Sequence, residues 1–308
     1  MKKSVTFKNG VWNLAGVMFL PDDFDENKKY SALVFGNPGG SVKEQTPAVY
    51  GEKLSAKNFI VLTFDSSHQG ASEGEPRLLD NPFERAEDIK CGVDYLTTLP
   101  YVDRKKIAAV GQCAGSGFAI FAALTDRRIK AICALCCTNP GATTRQGWDG
   151  KRTVEENKKI LDQIAEQRTA EANGAPVKYV HYVPEDDELE KNIYPDMIIG
   201  NQYYRHEAKH PNSPNLFRFT GMANRITFDA YEFIPQYLDC PFLIIAGSEA
   251  GSLWQGKIAY DMANAPKELC IMEGAGHFDF YNNPHYIDKA TEKMAEFFAE
   301  SLAKEGVR

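Results

Sequence analysis

A cysteine held between two glycines, Gly111-Gln112-Cys113-Ala114-Gly115, is the stretch of this sequence best suited to covalent chemistry. The run before it, "KIAAVGQ", reads as a short buried strand, and "AGSGFAIFAALTD" after it as a helix of small and apolar residues. A nucleophile mounted on such a sharp strand-to-helix turn adopts a strained backbone. Its neighbours two positions away on either side must be tiny, because strand and helix pass close there. The helix N-terminus beneath it favours a thiolate through unpaired N–H groups and the positive end of the helix dipole. The bland reading of Cys113 is a buried structural cysteine in a Gly-rich turn.

A thiol nucleophile needs a base. "MEGAGHFDFY" places His277 in a Gly-rich loop just past the last apolar run. There it can take the thiol proton, hold an ion pair with the thiolate and protonate the leaving group. The other histidines are weaker candidates. His181, His206 and His210 lie in a polar middle region, His285 opens the last helix, and His68 follows the fourth strand, at the border of the expected pocket. An orienting carboxylate is expected after "FLIIAG". The stretch that follows, "SEAGSLW", offers only Glu249, and Gly251 stands where an aspartate would be expected. Two N–H groups are needed to hold an oxyanion. One is that of Ala114, directly after the nucleophile. The other is expected in "GNPGGS", where Pro38 has no N–H, so Gly39 is the donor and Gly40 adds room. Cys133, Cys136 and Cys137 raise a metal reading. They lie on one apolar run with no second ligand pair nearby, so small buried core residues on alternating strand faces are expected instead. No metal or organic cofactor is expected.

These residues need a scaffold. "VTFKNG" and "WNLAGVMFLP" read as a hairpin joined at Asn-Gly. "YSALVFGNPGG", "FIVLTFDSS", "KIAAVGQ", "IKAICALCC", "CPFLIIAG" and "ELCIMEG" are continuous apolar runs separated by helical segments. Apolar rather than alternating strands, with helices between them, imply an α/β fold with a mostly parallel central sheet covered on both faces. The alternation breaks at 139–236, a polar, Tyr-rich region with one clear helix, "VEENKKILDQIAEQRTAEAN". An insertion of this kind reads as a cap over the ligand cleft. The expected division is therefore a core of 1–138 and 237–308 and a cap of 139–236. Trp148, Tyr203, Tyr204 and Phe217 in the cap either line a pocket or pack the cap onto the core, with packing expected for most of them.

The 308 residues carry a net charge of -7, with no basic stripe, which disfavours nucleic acid as the main partner. No apolar stretch is long enough to span a membrane. The start "MKKSVTFKNG" lacks the apolar core of a signal peptide, and seven cysteines with an adjacent pair suit a reducing compartment, so a cytoplasmic protein is expected. The partner expected is a small acyl substrate. The sequence leaves room for a homo-oligomer without indicating one.

Taken together, "NPGGSVKEQTPAVYGEKLSAKNF", "FDSSHQGASEGEPR", "DIKCGVDYLTTLPYVD", "VGQCAGSGFA", "RHEAKHPNSPN" and "GAGHFDFY" resemble the α/β-hydrolase superfamily. Within it they are similar to the dienelactone-hydrolase-like branch with a G-x-C-x-G nucleophile turn, which includes bacterial uncharacterised hydrolases and fungal polyketide transferases. The resemblance covers nearly the whole chain. It implies an α/β-hydrolase fold, a Cys–His centre at Cys113 and His277, and an oxyanion loop at Gly39 and Gly40. The sequence departs from the branch at Asn37, where a histidine usually precedes Pro-Gly-Gly, and in having no aspartate after "GSEA". The expected activity is hydrolysis of an ester, lactone or thioester through an acyl-enzyme. Acyl transfer to an alcohol or amine, and a non-catalytic ligand-binding protein on the same fold, are the alternatives.

Overall fold

The computed structural model describes residues 1–191 and 194–303. Eight strands form the central sheet: β1 (Lys2–Asn9), β2 (Trp12–Phe19), β3 (Tyr30–Gly36), β4 (Ile60–Phe64), β5 (Val102–Gln112), β6 (Ile129–Leu135), β9 (Phe242–Gly247) and β10 (Lys267–Met272). The remaining two, β7 (Tyr179–His181) and β8 (Leu216–Arg218), make a separate antiparallel ribbon. The order across the sheet is β1-β2-β4-β3-β5-β6-β9-β10. Only the β1/β2 and β2/β4 pairings are antiparallel. The hairpin turn falls on Gly10 and Val11, one residue later than the Asn-Gly reading, with Gly10 at φ 55°. Glycine at the first central position is what a two-residue turn of this hand requires.

The continuous apolar runs fold as parallel strands because both sheet faces are covered. Alternate residues of β5 go to opposite sides. Ile107 and Ala109 pack with the helices Pro82–Thr98, Ala114–Thr125 and Leu253–Met262, and Ala108 and Val110 pack with Thr46–Ser55 and Pro284–Ala303. Local signals set the helix ends. Asn81 accepts a hydrogen bond from the Phe83 N–H, and Thr153 and Glu156 form a reciprocal capping box at Val154–Ala172.

β6 departs from the sequence reading. It ends at Leu135, and Cys136 takes φ 47°, a left-handed conformation. The turn breaks the alternation expected through Cys137. Cys133 and Cys136 share one face of the sheet, whereas Cys137 joins the other and meets the Tyr231 hydroxyl at 3.1 Å.

Between β6 and β9 the chain leaves the sheet and forms the helices Pro140–Gln146, Val154–Ala172, Pro195–Asn201, Met222–Thr227 and Ile234–Tyr237, a π-helical turn at Gln202–Glu207, and the β7–β8 ribbon. This inserted segment approaches the C-terminal ends of the parallel strands, where α/β sheets place their ligand crevices. Among the described residues, no helix is long and apolar enough to cross a membrane.

Candidate active site

Cys113 is the hinge between β5 and the helix Ala114–Thr125, at φ 53° and ψ -122°. A non-glycine residue reaches this region only when its surroundings force it there. The two glycines show how. A Cβ on Gly115 would stand 2.0 Å from the Gly36 carbonyl oxygen, and one on Gly111 would stand 2.4 Å from that of Gly115. Both clashes are with backbone, so no larger residue fits. The Cys113 N–H donates to Leu135 O at 2.9 Å, and the Ser116 hydroxyl donates to Gly111 O at 2.8 Å, pinning the turn to β6 and to its own strand.

His277 is fully buried in the loop after β10, which brings it to the Cys113 thiol. Among the described residues its Nε2 has no partner at full hydrogen-bond geometry, and its Nδ1 lies 2.7 Å from the Ser252 hydroxyl. Burial alone would raise the Cys113 pKa. The His277 charge, contacts from His277 and Tyr281, and the Ala114 N–H outweigh it and bring the thiol down to about 7. For His277, burial favours the neutral ring, but the facing thiolate and then the Asp196 carboxylate raise its pKa above the ordinary value. Both shifts favour a thiolate–imidazolium pair.

The loop after β3 carries Gly39, the second expected oxyanion donor, and Gly40. Gly39 and Ala114 both border the cavity beside Cys113, and a Cβ on Gly39 would come 3.9 Å from that of Ala114. Gly40 sits at φ 72° in a turn closed by Ser41 N–H to Pro38 O, and a Cβ there would strike the Tyr182 ring at 2.6 Å. The loop carbonyls are engaged elsewhere. Arg85 donates to Asn37 O and Pro38 O, the Tyr204 hydroxyl to Gly39 O, and the Ser213 hydroxyl to Gly40 O. Arg85 is held by buried Asp80, which also pairs with Arg225 of the inserted segment. Asn37 donates its amide to Phe64 O.

Glu249 does not fill the expected role. It is exposed, and among the described residues it accepts only from the neighbouring Ser248 hydroxyl, because its loop turns its side chain outward while its own N–H bonds to Ala275 O. The group at Nδ1 of His277 is Ser252, three residues beyond Glu249 and one beyond Gly251. His68 is also placed away from the site. It is buried, with Nε2 2.8 Å from Glu84, and does not border the cavity.

The cavity above Cys113 has a volume of about 760 Å³ and is walled by Trp148, Tyr182, Met197, Tyr204, Phe217 and Phe278, among others. Packing onto the core was expected for most of the four aromatic residues of the inserted segment, but three of them, Trp148, Tyr204 and Phe217, line the cavity. Tyr203 instead packs behind, its hydroxyl accepting from the Thr46 N–H at 2.9 Å. The Trp148 ring meets His277 edge-on at 4.9 Å. Sequence reasoning missed Ser252, Tyr281 and Asp196. Ser252 and Tyr281 lay inside quoted stretches, but nothing local marks their contact with the site. Among the described residues, no cluster of three or more His, Cys, Asp or Glu could hold a metal ion.

No protein-family model matches the chain. It is 38% identical over 308 residues to the uncharacterized protein YcjY of Escherichia coli K12, covering 98% of this chain and all of that one. The crystal structure of the hypothetical protein PA2218 from Pseudomonas aeruginosa superposes with a TM-score of 0.90 at 29% identity, covering 98% of this chain and 94% of that chain. The structure of the α/β hydrolase GrgF from Penicillium sp. superposes at 0.81 and 20% identity over 98% and 99% of the two chains, a likeness of fold. This chain belongs to one family with YcjY and PA2218, and its fold is that of the α/β hydrolases. In this hydrolase fold, the elbow after β5, the loop after β10 and the loop after β3 meet at one cavity, with the inserted segment as its roof.

Proposed function

We propose that the protein cleaves an ester, lactone or thioester of a small organic substrate through a covalent acyl-enzyme on Cys113. The observation that carries this reading is the strained Cys113 at the cavity floor beside the buried His277 imidazole, an arrangement that favours the thiolate. The Cys113 thiolate attacks the acyl carbonyl, and the N–H groups of Ala114 and Gly39 hold the oxyanion. Protonated His277 delivers its Nε2 proton to the departing alkoxide or thiolate, leaving a thioester to Cys113. Neutral His277 then takes a proton from an incoming water, which attacks the thioester. The collapse of that second intermediate releases the carboxylic acid and restores the thiolate, with the proton back on His277. The Ser252 hydroxyl accepts from Nδ1–H and keeps Nε2 aimed at Cys113. A neutral orienter suffices here because a thiol ionises far more readily than a serine hydroxyl. Hydrolysis of p-nitrophenyl acetate with trapping of the acyl-Cys113 adduct by intact mass tests the reading. Unchanged turnover in Cys113→Ala rejects it.

The size of the cavity favours a second reading, acyl transfer to an alcohol or amine held beside the thioester. The fungal relative GrgF carries the name polyketide transferase. Product analysis with and without an added alcohol separates ester from free acid. A purely ligand-binding role is opposed by the geometry, a strained Cys113 and a buried His277 brought together at the cavity, which such a role does not need.

A further inference from the structure

Asp196 lies in the inserted segment, in the first turn of the helix Pro195–Asn201, and its side chain is buried. Among the described residues its carboxylate is satisfied by three N–H groups. Oδ1 accepts from the backbone N–H of His277 at 3.2 Å. Oδ2 accepts from the backbone N–H of Gly251 at 2.7 Å and from the Trp148 indole at 3.0 Å. One side chain thus ties together the loop bearing His277, the loop bearing Ser252 and the tryptophan that meets the imidazole edge-on. Gly251 shows why the acid is missing from the loop after β9. A Cβ there would stand 2.5 Å from Trp148 Nε1 and 2.8 Å from Asp196 Oδ2. The space into which a side chain at 251 would extend is already filled by a carboxylate from another part of the chain.

We infer that Asp196 is the acidic member of this site, a positioning residue delivered by the inserted segment in place of a carboxylate after β9. It acts without touching the imidazole ring. Its hydrogen bonds fix the two loops that set the His277–Ser252 contact, and its charge favours the imidazolium form of His277 and, through it, the Cys113 thiolate. Its charge is among the causes that raise the His277 pKa. The ionisable groups facing the reactive pair are Tyr281 and Tyr204 from the cavity wall, Cys136 and Cys137 after β6, and Tyr231, with Asp196 the carboxylate acting on His277. The reactive pair is complete only with the inserted segment seated, since both Asp196 and Trp148 belong to it.

The inference rests on the Cys113 reading, and its test is the pH dependence of Cys113 alkylation by iodoacetamide, followed by peptide mass mapping. Asp196→Asn preserves shape and removes charge. It is expected to move the midpoint upward by about half a pH unit or more, a roughly threefold loss of thiolate below the midpoint. Asp196→Glu, which keeps the charge, is expected to stay nearer the parent. An unmoved midpoint in Asp196→Asn, or equal shifts in the Asn and Glu variants, overturns the assignment. Should Asp196→Asn fail to fold, Gly251→Ala carries the test. It displaces the carboxylate while leaving every ionisable group in the chain, and it too should raise the midpoint; no shift overturns the assignment. Turnover surviving Cys113→Ala rejects the nucleophile itself. Turnover that needs Cys113 but a midpoint indifferent to Asp196 rejects only the role given to Asp196.

Discussion

The turn that carries Cys113 is fixed by its own neighbours, whereas the loop after β9 is fixed from a distance. At the turn, Gly111 and Gly115 are needed because their absent side chains would strike backbone within 2.4 Å. At the loop, Gly251 makes way for side chains, the Trp148 indole and the Asp196 carboxylate, that arrive from the inserted segment. The first region is one short peptide with a forced conformation. The second is an assembly of three chain segments around one imidazole. The conformation of Cys113 is therefore set by local sterics, whereas the support of His277 comes from a distant segment that reaches the same space.

Variants can break this contrast, the largest effect coming first. Cys113→Ala should lower the turnover of activated esters by about 10⁴-fold or more, toward the background rate. Gly115→Ala should destabilise the fold by about 3 kcal/mol or more in urea denaturation, because backbone cannot yield to its Cβ. Gly251→Ala, whose Cβ meets movable side chains, should lose about 1–2 kcal/mol in the same titration. Equal losses at the two glycines would erase the distinction between the regions. Ser252→Ala should lower kcat by about tenfold with KM little changed, the worth of one neutral hydrogen bond. Glu249→Gln, at an exposed position away from His277, should leave kcat within about twofold of the parent.

The same contrast explains what the sequence made legible. The parallel sheet was readable because β3, β4, β6 and β9 are buried on both faces and so appear as unbroken apolar runs. Cys113 was readable because its constraints fall within five consecutive residues, and His277 because it follows β10 in a Gly-rich loop. Ser252 and Asp196 were not, since their hydrogen bonds to His277 span 25 and 81 residues. Glu249 drew attention as the carboxylate nearest β9 in sequence, but its loop points it to solvent. The left-handed turn at Cys136 also left no trace, because cysteine does not mark such a conformation as glycine does.

The pairing of Cys113 with His277 is tested most directly by the rate of Cys113 alkylation against pH, in the parent and in His277→Ala. The other buried thiols help, because burial pushes Cys133, Cys136 and Cys137 upward and keeps them unreactive in this range. The paired thiol should react increasingly as pH rises through about 7 in the parent. Removal of the imidazole should move that midpoint above about 8.5, the value of an unassisted cysteine. A parent midpoint already at the free-thiol value, or one that His277→Ala leaves in place, would contradict the account.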